Sequence, residues 1–324
     1  MTPEAAMLER AAALIRGGGL VAFPTETVYG LGANAFDAVA VARIFTAKGR
    51  PLQSPLIVHV DSIEMARTLV LEWPEPADRL ARRYWPGPLT LVLPKQPSIP
   101  DIVTAGLATV GLRVPSHPLA LALIRSAGLP IAAPSANPFT LLSPTTAEHV
   151  RQSLGNAVDL VLDGGPATVG IESTVLSLAG PEPVLLRPGV IPLPEIEALV
   201  GRVRVAEGAA AGAHPSPGMH AQHYRPRTPL LLLAPGDPPP GGTGEWLRLG
   251  REMPAEPAAY AAALYAALHR LDLRNADWIA VERPPDTPEW AGVLDRLTRA
   301  SAPHSAFASH PESSAPPHRP PPRN

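Results

Sequence analysis

Apolar and polar residues follow two different periods along this chain, and the changes of period predict its elements. Between residues 4 and 16 the apolar side chains recur at helical spacing, and three consecutive glycines then favour a helix end. The apolar run 20–23 lacks that spacing and predicts a buried strand. Asp37 is a suitable N-cap for a second helix that ends at Lys48, because a glycine and a proline follow closely.

The same alternation of strands and helices continues to about residue 190. Further strands are predicted near 55–60, 89–93, 110–115, 130–133, 159–162, 173–178 and 184–187. Further helices are predicted near 62–71, 76–84, 117–127 and 144–154. Ser143 is the expected N-cap of the last helix, with Pro144 in its first position. This mixture predicts a layered α/β domain.

Shifts in composition divide the chain into four parts. A stretch rich in Gly, Ala, Pro and His at 205–229 predicts a linker after a first domain at 1–204. A small α/β domain is predicted at 230–300 and a disordered, Pro-rich tail at 301–324. The elements of the small domain are expected at 230–233, 254–271, 278–281 and 289–300.

Composition also limits the chemistry. With 45% hydrophobic and 17% charged residues, the chain has enough apolar material for a buried core. A net charge of −2 gives no overall field that would attract a nucleic-acid backbone. The absence of cysteine excludes a thiolate nucleophile and a Cys-ligated metal. No apolar run reaches the roughly 18 residues of a membrane span, and no apolar export region begins the chain, so a cytoplasmic protein is expected.

Hydroxyl groups follow the first predicted strand, in the sequence PTETVYG at 24–30. Open α/β sheets bind ligands at the carboxyl ends of strands, so these groups suit a polar substrate. The alternative is a Pro-Thr turn whose hydroxyls bond to their own backbone, and the segment alone favours that alternative slightly. Its glycines complete neither a dinucleotide fingerprint nor a phosphate-binding P-loop.

Lys48 and Arg50 stand between a predicted helix end and a strand. Of the 27 basic residues only two are lysines, so the choice of lysine at position 48 is unusual. An ammonium and a guanidinium group could together bind phosphate oxygens. Attraction of a cation to a helix C-terminus explains Lys48 equally well.

A second strand end repeats this chemistry. The strand near 130–133 runs into Ser135 and Asn137, and two strand ends with such groups suggest one site. Arg113 lies within an apolar strand, where burial requires an anionic partner from the protein or from a ligand. Arg187 and Ser173 stand at further strand boundaries.

Seven short motifs follow one another along the chain: PTETVYGL at 24–31, KGRP at 48–51, PLIVH at 55–59, SAN at 135–137, SPT at 143–145, LRPG at 186–189 and SPGM at 216–219. Together and in this order, these motifs resemble the threonylcarbamoyl-AMP synthases of the Sua5/YrdC/YciO family, in particular its longer two-domain Sua5 type. The resemblance implies a YrdC-like twisted mixed sheet with flanking helices, then a small C-terminal Rossmann-like α/β domain. The linker would cover the site as a lid anchored by that domain.

The family condenses L-threonine, bicarbonate or CO₂, and ATP into threonylcarbamoyl-adenylate and pyrophosphate, for threonylcarbamoyladenosine modification of tRNA. The resemblance therefore implies a nucleotidyltransferase whose product passes transiently to a tRNA threonylcarbamoyl transferase complex, with weak or absent direct tRNA binding. It also implies Mg²⁺ that arrives with ATP and is held largely by phosphate oxygens and water. No protein metal site is predicted, because His214, His220 and His223 of the linker lack carboxylate or thiol neighbours.

The resemblance assigns roles by position. Lys48 and Arg50 are the implied catalytic cations, and Arg113 would bind the threonine carboxylate. The implied threonine contacts are Thr27, His59, Arg113, Ala133 and Ser173. The implied ATP contacts are Lys48, Arg50, Ser54, Thr109, Ser135, Asn137, Ser143, Arg187 and Tyr224. Ser54 replaces a frequent Asn and Phe139-Thr140 replaces a common Ser-Gly, which would alter the ATP loop locally.

Two other functions are weighed against this one. A non-catalytic RNA-binding module of the same fold would reuse the cationic surface, but the net charge of −2 gives it little support. Another carbamoyl transfer, as in hydrogenase-maturation relatives, is disfavoured because this chain lacks the Cys-rich zinc modules.

Overall fold

A ten-stranded mixed sheet and a three-stranded parallel sheet organise the computed structural model, which describes residues 2–206, 223–238 and 241–302. The helices are α1 (Pro3–Arg16), α2 (Ala38–Lys48), α3 (Ile63–Thr68), α4 (Glu75–Tyr84), α5 (Asp101–Thr104), α6 (Pro118–Ala127), α7 (Ala147–Leu154), α8 (Leu193–Val200), α9 (Pro257–Asp272) and α10 (Ala291–Ser301). The strands are β1 (Val21–Phe23), β2 (Gly30–Asn34), β3 (Ile57–His59), β4 (Leu89–Pro94), β5 (Thr109–Arg113), β6 (Ile131–Ala132), β7 (Leu160–Val161), β8 (Thr174–Ser177), β9 (Val184–Arg187), β10 (Arg204–Val205), β11 (Leu230–Leu233), β12 (Gly244–Leu247) and β13 (Trp278–Glu282).

The larger sheet has the order β10-β9-β8-β4-β5-β3-β6-β2-β1-β7. Its central strands β3 and β5 are parallel, whereas β4 runs antiparallel to β5 and β6 runs antiparallel to β3. Helices flank this sheet, and the main apolar core lies between them. The expected mixed α/β fold is therefore confirmed.

The smaller sheet, in the order β11-β13-β12, is entirely parallel and packs with α9 and α10. We call residues 228–302, which contain these elements, the C-terminal unit. Its apolar core continues into the first part of the chain, where it includes Val28, Leu142 and Ile171. Burial of shared apolar surface therefore fixes the unit against the larger sheet.

The helix ends follow the local sequence where capping is clear. The Asp37 side chain accepts hydrogen bonds from the backbone N–H groups of Val39 and Ala40, and so begins α2. Gly49 adopts the left-handed conformation with φ 59° and ends this helix, as predicted. Lys48 is thereby placed in the last turn of α2 and Arg50 in the loop that follows it.

Several sequence predictions differ from the structure. Strand β2, antiparallel to β1, was not predicted, because its sequence GLGAN has two glycines and no β-branched residue. A Cβ atom at Gly32 would lie 2.8 Å from side-chain atoms of Ile131 and of Phe23, so the close approach of the chain requires glycine. The short elements α5, α8, β10 and β12 were also not predicted.

The predicted start of the helix at 144–154 is wrong. Helix α7 begins at Ala147, and Thr146 rather than Ser143 caps it by accepting a hydrogen bond from His149 N–H. Ser143 instead points its hydroxyl at Glu172. Most of the predicted linker and tail lie outside the described residues. Among the described residues, none of the helices combines the length and apolar character that a bilayer span requires.

Candidate active site

Nine of the predicted site residues line one cavity, which has about 540 Å³ of space without protein atoms, part of it open to solvent. These nine are Thr27, Arg50, His59, Arg113, Ala133, Ser135, Ser173, Arg187 and Tyr224. Ser173 precedes β8, whereas Arg187 ends the antiparallel strand β9. The expectation that carboxyl ends of strands form the site is therefore only partly right, because neighbouring strands of a mixed sheet approach the cavity from opposite ends.

The PTETVYG loop contributes hydroxyls in two different ways. Thr25 Oγ1 donates to the carbonyl of Val28 at 2.6 Å and accepts from two backbone N–H groups of its own turn. Thr27 Oγ1 lies 2.8 Å from Thr25 Oγ1 and accepts a hydrogen bond of 2.8 Å from Arg113 Nη1. The alternative of a self-satisfied turn thus applies to Thr25, whereas Thr27 faces the cation.

Arg113 is buried and has an anionic partner within the protein. Its Nη2 lies 2.7 Å from Glu26 Oε1, oriented as an ion pair without a well-directed hydrogen bond. Its Nε donates to the carbonyl of Gly87 at 3.2 Å. The protein therefore supplies the partner that the apolar strand required, and the guanidinium still borders the cavity.

Lys48 and Arg50 are buried beside neutral oxygen atoms. Lys48 Nζ donates to the carbonyls of Ser135 and Asn137 and so ties α2 to the second strand-end motif. Arg50 donates to the carbonyls of Ser54 at 3.4 Å and Pro55 at 3.1 Å. Burial lowers the pKa of the Lys48 ammonium well below its usual range and that of Arg50 to about 10. Each cation is therefore poised to gain stability from an anion.

Arg187 also lines the cavity, where it contacts Ser173. Its Nε donates to the carbonyl of Ser173 at 3.1 Å and its Nη2 to Ser173 Oγ at 3.2 Å. The same hydroxyl lies 2.8 Å from Thr90 Oγ1, a contact that the sequence did not indicate. Burial lowers the pKa of Arg187 as well.

His59 is a buried, neutral group beside these cations. Burial, and then the charge of Arg113, lower its pKa to about 3. Its Nδ1 has no hydrogen-bond partner among the described residues, and its ring meets Phe23 edge-on at 6.0 Å. The imidazole can therefore offer hydrogen bonding to a ligand without adding charge.

The remaining predicted ATP contacts surround the cavity wall. Ser54 and Asn137 are buried beside Arg50 and Lys48 respectively. The Oδ1 of Asn137 has no partner in the described part of the chain. Thr109 begins β5 and lines an adjoining hollow that shares Ile57 with the cavity. Ser143 lies behind the wall, where its Oγ donates to Glu172 Oε1 at 2.5 Å.

Sequence profiles of two families match the chain. The Sua5/YciO/YrdC profile, described as "telomere recombination", matches residues 13–189. The profile described as the C-terminal domain of threonylcarbamoyl-AMP synthase matches residues 191–302. The chain belongs to the Sua5 family.

Individual relatives support this membership over most of the chain. A threonylcarbamoyl-AMP synthase from Bacillus subtilis is 45% identical over 91% of this chain and 92% of its own length. One from Schizosaccharomyces pombe is 35% identical over 91% and 88%, respectively. The crystal structure of Pyrococcus abyssi Sua5 complexed with L-threonine has a TM-score of 0.86 and 39% identity, covering 93% of this chain and 95% of that one. The chain is an enzyme of the nucleotidyl-transfer type.

In this Sua5-family enzyme, His223 and Tyr224 line the cavity. Tyr224 is buried with a left-handed φ of 63°, and its hydroxyl has no hydrogen-bond partner among the described residues. The backbone N–H of Arg225 donates to the carbonyl of Thr140 at 2.9 Å. The described end of the predicted linker therefore packs beside the cavity, whereas His214 and His220 lie outside the described residues.

The departure at Phe139-Thr140 has a structural consequence. The Phe139 ring lies 5.6 Å from the Arg50 guanidinium carbon and meets the His223 ring edge-on at 5.6 Å. Thr140 adopts a left-handed φ of 70°, a conformation in which the common glycine would be unstrained. The Phe139 side chain thus contacts both Arg50 and His223.

Sequence reasoning missed four residues that complete the site: Glu26, Glu172, Tyr265 and Arg296. Glu172 borders the cavity, while Tyr265 and Arg296 of the C-terminal unit contact the Glu172 carboxylate. A signal for Arg296 was present, since it lies three residues after Val293 and one before Leu297, on the apolar face of α10. A charge on a buried helical face requires a buried partner.

Proposed function

We propose that this enzyme condenses L-threonine, bicarbonate or CO₂, and ATP into threonylcarbamoyl-adenylate and pyrophosphate. The observation that carries the proposal is the convergence of Arg50, Arg113 and Arg187 with hydroxyl groups on one cavity, with Lys48 directly behind it. Such a cavity suits two anionic substrates bound side by side.

The nucleotide half of the proposal rests on Lys48 and Arg50. Both are buried, and within the described residues neither forms an ion pair with a carboxylate. Triphosphate oxygens would supply the counter-charge that the protein does not. Ser135, Asn137, Ser143, Ser54, Thr109, Arg187 and Tyr224 are proposed to complete the ATP contacts.

The threonine half rests on Arg113 and Thr27. Arg113 is held by Glu26 on one side and by Thr27 on the other, which fixes its guanidinium at the cavity wall. The related Pyrococcus protein has been crystallised with L-threonine, which supports an amino-acid carboxylate as the ligand. His59, Ala133 and Ser173 are proposed to surround the rest of the amino acid.

The reaction requires no protein nucleophile. The neutral amine of threonine attacks CO₂ and releases a proton to solvent, which gives a carbamate whose oxygen attacks the α-phosphorus of ATP. The bond from this phosphorus to the bridging oxygen breaks, and pyrophosphate leaves with the electron pair. The protein holds the reactants in contact and stabilises the charge that develops on phosphate oxygens. Lys48 and Arg50 are proposed for that role.

Magnesium is proposed as part of the ATP substrate. Among the described residues no three His, Asp or Glu side chains cluster as metal ligands, and both carboxylates at the cavity, Glu26 and Glu172, face arginines. Phosphate oxygens and water would therefore hold the ion.

The adenylate is proposed to pass to a tRNA threonylcarbamoyl transferase. Because the cavity cations are buried, they do not offer a surface to an RNA backbone.

Release of pyrophosphate tests the proposal. We expect release from Mg-ATP only when threonine and bicarbonate are both present, with threonylcarbamoyl-adenylate identified by mass spectrometry. Lys48→Ala and Arg113→Ala should each lower kcat/KM about 100-fold to 1,000-fold. Arg43→Ala is the matched control, because Arg43 lies on α2 in an exposed ion pair with Asp159. Pyrophosphate release that is independent of threonine would contradict the proposal.

A further inference from the structure

One arginine of the C-terminal unit forms hydrogen bonds with residues that adjoin the cavity. Arg296 on α10 is fully buried, and its guanidinium donates to three oxygen atoms outside its own helix and to its neighbour Asp295. The distances are 2.7 Å to Glu172 Oε2, 3.1 Å to the Glu172 carbonyl and 2.7 Å to the Pro188 carbonyl. One side chain therefore joins the segment before β8 to the segment after β9.

Those two segments carry residues of the cavity. Glu172 immediately precedes Ser173, and Pro188 immediately follows Arg187. Ser173 and Arg187 in turn contact each other through two hydrogen bonds across the neighbouring strands β8 and β9. Arg296 thus holds the backbone on the outer side of this pair, one residue away from each member.

The helices of the C-terminal unit also contact these segments directly. A Cβ atom at Gly292 of α10 would lie 2.4 Å from the Gly189 carbonyl oxygen, and one at Gly170 would lie 2.4 Å from the Ala261 carbonyl oxygen of α9. Both contacts leave no space for a side chain. The segments beside Glu172 and Pro188 are therefore set by where the two helices lie.

The Glu172 carboxylate also contacts Ser143, a third of the predicted site residues. It accepts hydrogen bonds from the Tyr265 hydroxyl of α9 at 3.1 Å and from the Ser143 hydroxyl at 2.5 Å. Burial raises the pKa of Glu172, but the charges of Arg296 and Arg187 outweigh burial and leave it below its usual value. Glu172 is thus an ionised acceptor between the C-terminal unit and the cavity.

We propose that Arg296 and Tyr265 are positioning residues of the substrate cavity, which hold Glu172 and Pro188 and through them Ser143, Ser173 and Arg187. This inference rests on the proposed function. It gives the C-terminal unit a part in substrate binding besides attachment of the linker. An arginine is required because the donors must point to several oxygen atoms at once, a geometry that the single ammonium of lysine does not reproduce.

A matched pair of tyrosines on α9 provides the first test. Tyr260 and Tyr265 are both fully buried, but the Tyr260 hydroxyl has no partner among the described residues. We expect Tyr265→Phe to raise KM and the dissociation constants for threonine and ATP about threefold to tenfold, and Tyr260→Phe to leave them within about twofold of wild type. Each variant removes one oxygen atom from the same helix.

Arg296→Lys provides the second test, because it keeps the charge and loses the forked geometry. We expect kcat/KM to fall about 10-fold to 100-fold, with KM for both substrates raised, at a temperature where circular dichroism shows the variant folded. Arg248→Lys, in an exposed ion pair of the same unit, is the control. If Arg296→Lys does not fold, the tyrosine pair still decides the question.

Comparing the apparent kcat with KM and the dissociation constants distinguishes a positioning residue from one that only stabilises the fold. A smaller folded fraction lowers the apparent kcat but leaves KM and the dissociation constants unchanged. That result, or wild-type KM in both Tyr265→Phe and Arg296→Lys, would overturn the inference. If the wild-type enzyme releases no pyrophosphate with threonine, the proposed function fails instead, and the dissociation constants still report on positioning.

Discussion

This molecule has buried cations of two kinds, which differ in their partners. Lys48 and Arg50 donate to backbone carbonyls, whereas Arg296 contacts the carboxylates of Glu172 and Asp295. Burial lowers the pKa of Lys48 and Arg50. For Arg296 burial also lowers the pKa, but Tyr224, Glu172 and Asp295 outweigh it and the value lies above its usual range. A counter-charge within the protein makes the difference.

The comparison shows how one chain can use the same residue type for two purposes. A buried cation without a carboxylate costs free energy until an anion arrives, so it contributes to ligand binding. A buried cation that is paired with a carboxylate is compensated in the folded protein. Its removal leaves the carboxylate buried and unpaired, which lowers the free energy of unfolding. Glu172 connects the two kinds of cation, because it pairs with Arg296 and lines the same cavity as Arg50.

The largest expected difference between Arg296 and Arg50 is in the free energy of unfolding. Arg296→Met should lower the free energy of unfolding by about 3–5 kcal/mol, because Glu172 is left as an uncompensated buried charge. Arg50→Met should change it by less than about 2 kcal/mol, because the hydrogen bonds lost to neutral carbonyls are offset by removal of an uncompensated buried charge. Urea denaturation measures both, and equal losses would remove the basis of the comparison.

A double variant tests whether the unpaired charge of Glu172 causes that loss of stability. Adding Glu172→Gln to Arg296→Met should recover part of the loss, because the double variant no longer buries the unpaired carboxylate charge. Arg248→Met, from an exposed ion pair with Glu252, should change the free energy of unfolding by less than about 1 kcal/mol.

The next effect concerns anions. Inorganic pyrophosphate at about 100 times its dissociation constant should stabilise the wild-type chain by about 2.7 kcal/mol, because it binds only the folded cavity. Arg50→Gln should lose most of this stabilisation, whereas Arg43→Gln, at an exposed position, should keep it. Thermal denaturation with and without pyrophosphate gives the measurement. Stabilisation that is retained in Arg50→Gln would show that the cavity cations do not bind the anion.

The smallest effect concerns pH. The folded chain keeps His59 neutral down to about pH 3, whereas the unfolded chain protonates it below about pH 6.5. The unfolded state therefore binds more protons between these values, and stability falls as the pH decreases. From pH 7 to pH 5 we expect a loss of about 2 kcal/mol from this residue.

His59→Gln should reduce that slope when unfolding is measured across the same pH range. It should not abolish it, because burial, and then His269, lower the pKa of His149 to about 4, which acts with the same sign. An unchanged slope in His59→Gln would mean that His59 is not held neutral beside Arg113.

The predictable part of the fold was the part fixed by neighbours along the chain. The cap at Asp37, the stop at Gly49 and the apolar strand runs are local signals, and the structure has them where they were predicted. Strand β2 was missed because its glycines serve contacts with Ile131 and Phe23, which only pairing of distant segments creates. The start of α7 was misplaced because two hydroxyl residues, Ser143 and Thr146, could each cap a helix.

For the site, the sequence by itself determined which side chains are available: four cations, the hydroxyls of strand ends, and no cysteine. Only the tertiary structure decided their partners. It gave Arg113 a carboxylate from Glu26, left Lys48 with carbonyls, and brought Arg296 to Glu172 across 124 residues of chain. The physical reason is that the charge state and the binding capacity of a buried group depend on the atoms around it in space, and those atoms come from segments that are distant in sequence.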